Sequence, residues 1–155
     1  ILFLLIFSSM QFVDAILWYI KMKKNIINYI LSSLLIPGIL SLQILFNVYY
    51  VNKNTNIILH VISILTILYM FKKFNGYSKE SVNKFSSPVW GSSEINIYEM
   101  LLFLTLIIYP SYFFLILSAI TIMIIQYSFK GGYGSLWCSV VNIVALYYLI
   151  KYYNK

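Results

Sequence analysis

From Ile95 to Phe129 the chain carries a single charged side chain, Glu99. As one straight helix this run would exceed about 50 Å, well beyond the roughly 30 Å hydrocarbon core of a bilayer. Continuous apolar stretches stand at Ile57–Ile67 and, within this long run, at Tyr112–Ile125. Across all 155 residues, 61% are hydrophobic and 10% charged, whereas a soluble domain carries about a quarter charged residues. So little charge cannot clothe one core in a polar surface, and the surplus apolar residues call for lipid as solvent.

In hydrocarbon only helices and closed barrels satisfy every backbone polar group. A membrane barrel alternates apolar and polar residues at every second position. The runs here are continuous, so the expected fold is all-α, a polytopic transmembrane helical bundle. Lysines and turn residues divide the chain into six spans, at about 1–20, 26–51, 56–71, 95–109, 111–129 and 135–150, forming a single integral membrane domain over 1–155. Pro37 and Gly38 fall within the second span, where a kink is expected. The break after the fourth is set at Tyr109–Pro110, because the residue before a proline avoids the α region. That fourth span is short enough to be a re-entrant arm. Residues 73–95 form the long polar segment, rich in Ser, Gly and Asn, and no internal repeat is evident. The chain opens inside an apolar run, which reads as a fragment with further structure upstream.

The net charge of +7 comes from eleven lysines against Asp14, Glu80, Glu94 and Glu99. These lysines lie between apolar runs and form no dense basic stretch, which argues against a nucleic-acid partner. Loops 21–25, 72–94 and 130–134 hold most of them, and the positive-inside rule makes those loops cytoplasmic. Aromatic residues at the span ends, among them Trp18, Tyr49, Tyr50 and Trp90, read as interface anchors. The partner so implied is the lipid bilayer, with a second copy or other membrane proteins beside it.

Polar side chains inside the spans are the candidates for function, because burying them in hydrocarbon is costly. Gln11, Asp14 and Trp18 share a face of the first span. Ser135, Cys138 and Asn142 repeat that spacing in the sixth. Glu99 lies a turn inside the fourth. Asp14, Glu99 and Asn142 are all expected roughly 7–11 Å in from the lysine-rich side. This layer either holds the bundle together by hydrogen bonds or lines a cavity for a cation, a proton or a small solute. A second, weaker layer comprises Gln43, Asn47 and His60.

Enzyme chemistries are tested by what is missing. Every lysine lies at a span end, which excludes a deep Schiff base. His60 and Ser135 start from opposite sides, so a serine–histidine pair is poorly placed. One histidine and one cysteine supply neither a metal site nor a disulfide, and the Gly131–Gly134 turn lacks a phosphate-loop fingerprint. No cofactor is expected.

The segment from Ser9 to Trp18, with Gln11, Asp14 and Trp18, together with Gly134-Ser135-Leu136-Trp137-Cys138 and Asn142, resembles a family of multi-spanning membrane proteins of giant (nucleocytoplasmic large) DNA viruses. Where that family often has an aromatic residue after Trp-Cys, this chain has Ser139. The resemblance implies a seventh span upstream and a virion or host membrane, but no activity. The expected function is therefore that of a non-catalytic membrane component. A small transporter or channel using Asp14 and Glu99 is the alternative, and an enzyme with an unrecognised site the second.

Overall fold

The computed structural model describes residues 2–51, 56–82, 86–109, 112–128, 132, 134–136 and 138. It is all-α apart from one short hairpin. Helix α1 spans Leu2–Tyr19. It closes in a Schellman cap, with Met22 N–H on Leu17 O and Lys21 N–H on Trp18 O, both at 2.9 Å. Lys21 takes the left-handed position (φ 52°) where glycine is usual, and Met22 and Leu17 are both buried, as the apolar contact of that motif requires.

Asn25 caps the next helix, its Oδ1 accepting from Asn28 N–H at 2.8 Å. From there 25 helical residues run unbroken from Ile26 to Tyr50. This rod comprises α2 (Ile26–Ile30), a π turn (Leu31–Leu35), α3 (Ile36–Leu45) and a second π turn (Phe46–Val51). The first π turn lies immediately before Pro37. A proline lacks an N–H and crowds the carbonyl four residues back; the wider turn, with Ile36 N–H on Leu31 O, absorbs that defect. Among the described residues, Ile26–Tyr50 is the helix both long and apolar enough to cross a bilayer alone.

Helix α4 spans Ile57–Lys73, capped by Asn56, and α5 spans Ile97–Ile108 behind a full capping box of Asn96 and Glu99. Tyr109 then turns extended (ψ 138°), as its position before Pro110 dictates. At 12 residues, α5 rises only about 18 Å, well short of a membrane core. Helix α6 spans Tyr112–Ser128. The expected span at 135–150 falls almost wholly outside the described residues.

Helix α3 is central, packing against α1, α4 and α5, while α5 also packs on α6. The core follows helical spacing on each element: Met10, Val13 and Leu17; Ile36, Leu40 and Ile44; Met100, Leu104 and Ile107. Between α4 and α5 the polar segment is not a loose loop. It folds into an antiparallel pair, β1 (Lys79–Glu80) and β2 (Pro88–Val89), whose Ser78, Ser87, Val89, Trp90 and Gly91 are buried against the bundle end.

Candidate functional site, a polar cluster capping the bundle

The buried polar groups gather where this hairpin meets α1 and α2. Asn28, wholly buried, is the first centre. Its amide nitrogen donates to the carbonyls of Met22 (3.0 Å), Lys23 (3.1 Å) and Ser78 (3.0 Å). Its Oδ1 accepts from Ser78 N–H (2.8 Å) and Ser32 Oγ (2.9 Å). One side chain thereby satisfies the strained turn after α1 and the start of the hairpin together. Ser32 and Ser78 share a hydroxyl contact of 2.6 Å, and Ser33 both donates to Gly76 O and accepts from Gly76 N–H. Ser32 and Ser33 lie in the π turn, where the helix presents its hydroxyls to the hairpin.

Asp14 is the second centre. It is 1% exposed and sits on the α1 face formed by Met10, Val13 and Leu17. Its Oδ1 accepts from Trp90 Nε1 at 2.8 Å and its Oδ2 from Ser135 Oγ at 2.5 Å. Buried Cys138 lies one helical turn beyond Ser135. Trp90 is enclosed as well. Its ring meets Phe74 edge-on, with centroids 6.2 Å apart, and lies so close to Gly134 that a Cβ there would stand 2.5 Å from the indole. Gly134 is thus required by close approach, beyond its part in the glycine turn read from the sequence. Gly91, next along, has φ +69° and a Cβ there would meet Phe74 O at 2.5 Å.

Glu99 stands apart from Asp14. Lys73 Nζ donates to both its oxygens, at 2.8 and 2.6 Å, and the Tyr69 hydroxyl donates to Oε1. Glu99 also accepts from Asn96 N–H in the capping box. The lysine expected only at a span edge therefore reaches back to neutralise this carboxylate, helped by its long stem. A cavity of about 40 Å³ lies beside this pair, lined by Lys73, Tyr69, Glu99, Trp90 and Cys138 among mainly apolar side chains. Asp14 is not among its lining residues.

The sequence-expected layer is thus redistributed. Asp14 and Cys138 lie together, Glu99 shares only the cavity wall with Cys138, and Trp137 and Asn142 lie outside the described residues. Gln11 is half-buried. Trp18 is exposed on the flank and donates to Ser86 O at 2.9 Å. Trp90, read as an interface anchor, is instead buried, because its N–H meets a carboxylate and its ring fills the space over Gly134. Neither Trp90 nor Ser78 carried a sequence signal beyond residue type. Among the described residues, no group of three His, Cys, Asp or Glu could hold a metal ion.

At the far end, Asn47 Nδ2 donates to the carbonyls of Leu106 (2.8 Å) and Tyr109 (2.9 Å), closing the end of α5. His60 stacks on Tyr49, with centroids 4.6 Å apart. The Gln43 amide is fully buried, and among the described residues neither its Nε2 nor its Oε1 has a hydrogen-bond partner. Replacing it by a similar-sized apolar residue removes two unsatisfied groups, so Gln43→Leu is expected to raise stability by about 1–3 kcal/mol. Thermal unfolding of the two proteins in the same detergent measures this, and a lower midpoint for the variant would show that the amide has a partner.

Comparison of the chain with protein-family models, curated proteins and solved structures finds no match.

Proposed function

We propose that this chain is a non-catalytic, multi-pass integral membrane protein that serves as a structural component of its membrane. The observation that carries this reading is the run of exposed apolar side chains along the outer faces of the helices. Helix α4 turns Ile57, Ile58, Leu65 and Leu68 outward, and α6 turns Phe113, Ile116, Ile124 and Tyr127 outward. Meanwhile Asp14, Asn28, Ser32, Gln43, Ser63 and Thr66 are inside. The buried polar groups are tolerated because they are mostly hydrogen-bonded, while apolar side chains exposed along helix faces suit lipid better than water. Exposed apolar residues run along whole helices, where the surface hydrophobic residues of a soluble monomer stand mostly singly.

In this reading α1, the Ile26–Tyr50 rod, α4 and α6 cross the bilayer, and α5 is a re-entrant arm whose end is closed by Asn47. The hairpin cap and loop 21–25 lie on the cytoplasmic side with the exposed lysines. The resemblance to giant-virus membrane proteins fits a virion or virus-modified host membrane as the setting, with a further span upstream. Structure rather than transport is favoured because the two carboxylates are held by separate partner sets, and Asp14 does not line the cavity beside Glu99.

The test is membrane extraction combined with topology mapping. The full chain should resist alkaline carbonate. Cysteines placed at Lys24 and Lys79 should react from one side of sealed vesicles, and one placed at residue 53 from the other. Release by carbonate, or labelling of all three from one side, would sink the multi-pass reading. In liposomes, proton and cation leak should equal that of empty vesicles and be unchanged by Asp14→Asn. A leak abolished by that substitution would install the transporter instead.

A further inference from the structure

The lysines that are scattered in the sequence are brought together by the cap. Lys21, Lys23 and Lys24 follow α1, Lys72 lies in the last turn of α4, and Lys79 opens the hairpin; all five are exposed. Asn28 Nδ2 holds the Lys23 and Ser78 carbonyls at once, so the turn carrying three of these lysines lies against the strand carrying the fourth. Tyr29 joins the same surface, its ring tilted at 58° against Tyr77 with centroids 5.5 Å apart and its hydroxyl bonded to Asn75. Among the described residues, the ion pair is Lys73–Glu99, which leaves these five ammonium groups without a carboxylate partner. Glu80 and Glu94 are exposed at this end too, but they leave the balance positive.

The turn itself is held in a demanding backbone. Lys21 and Met22 both have positive φ, 52° and 47°, a conformation that costs a residue with a side chain. Glycine at position 21 would relieve it. A lysine there places another ammonium beside Lys23 and Lys24. Exposed Trp18, Tyr19, Tyr29 and Tyr77 ring the same end, the aromatic composition that sits at headgroup depth.

We propose that this face binds the headgroups of anionic phospholipids in the adjoining leaflet, with the lysines meeting lipid phosphates and the aromatic residues setting the depth. The inference rests on the membrane reading above. The rod, α1 and α4 all end at this level, so a bilayer around them brings its headgroups to the lysines without any further partner. Each lysine near an anionic surface strengthens binding by about fivefold.

The test uses the full chain in detergent, offered equal amounts of phosphatidylglycerol and phosphatidylcholine, with retained lipid counted by mass spectrometry after exchange. The wild type should retain phosphatidylglycerol at least roughly tenfold over phosphatidylcholine. The combined Lys21→Gln, Lys23→Gln, Lys24→Gln and Lys79→Gln variant should lose that preference, while the same four changed to Arg should keep it. Equal retention by the wild type overturns the inference, as does an unchanged ratio in the Gln variant. Displacement of the lipid by inorganic phosphate, or by a short DNA duplex at the same ionic strength, assigns the face to another ligand and also overturns it. Carbonate release of the wild-type chain would overturn the membrane reading and this inference together. Carbonate resistance with equal lipid retention would overturn this one alone.

Discussion

Asn28→Asp, which exchanges an amide nitrogen for an oxygen, is expected to detach the hairpin cap and destabilise the protein by about 4 kcal/mol or more. The size follows from where that nitrogen points. It donates to three carbonyl oxygens, those of Met22, Lys23 and Ser78, in a site with no access to water. The carboxylate oxygen in its place would face three acceptors, while only Oδ1 keeps its donors, Ser78 N–H and Ser32 Oγ. Asn28→Ala also loses the bonds but brings no charge, so it should cost less than Asn28→Asp despite being the larger change in shape. Thermal unfolding in detergent ranks the two. Protease cutting within 74–95 reports whether the cap has come away. Equal stability of Asn28→Asp and the wild type would show that the hairpin does not depend on this side chain.

The second large effect is expected at Trp90. Trp90→Ala removes a buried indole and the donor to Asp14, at a cost of about 3–5 kcal/mol. Trp90→Phe keeps most of the ring and isolates the hydrogen bond. Combined with Asp14→Ala, which removes the acceptor, in a double-mutant cycle, it should show a coupling of about 1.5–3 kcal/mol, the range for a hydrogen bond to a charged group. Ser135 continues to serve Oδ2 in the Trp90→Phe protein, so the two donors can be separated by adding Ser135→Ala. A coupling near zero would mean that the indole N–H and the carboxylate do not act as a pair.

The extents of the helices were largely legible in the sequence because the signals for them are local. Asn25, Asn56 and Asn96 cap helices within three residues of themselves, and Tyr109 breaks α5 because of the proline that follows it. The lysines after Tyr19 and at the end of α4 mark helix ends for the same short-range reason. The candidate site was legible only as a set of residue types. Asp14, Cys138 and Glu99 stood out as polar groups in apolar runs, but helical spacing placed Asp14 and Glu99 in one layer, and depth alone cannot say which side chain faces which. The Cα of Lys73 lies at the helix end, which marks it as an edge residue, while its reach is set by a stem that a sequence does not orient. Trp90 differs from its sequence cue for a related reason. Aromatic residues beside polar loops usually sit at an interface, and only the fold of the hairpin turns this one inward.

What the sequence determined by itself is the element type and the extents of the elements: continuous apolar runs with so few charges form helices. What the tertiary structure alone decided is how the buried polar groups were matched. Asn28 meets Ser78 across 50 residues, Asp14 meets Trp90 across 76 and Ser135 across 121. Hydrophobicity is a property each residue carries along the chain, and a periodic count reads it. A hydrogen bond is directional and short-ranged, so its partner exists only once distant segments have been brought to within about 3 Å at the right angle.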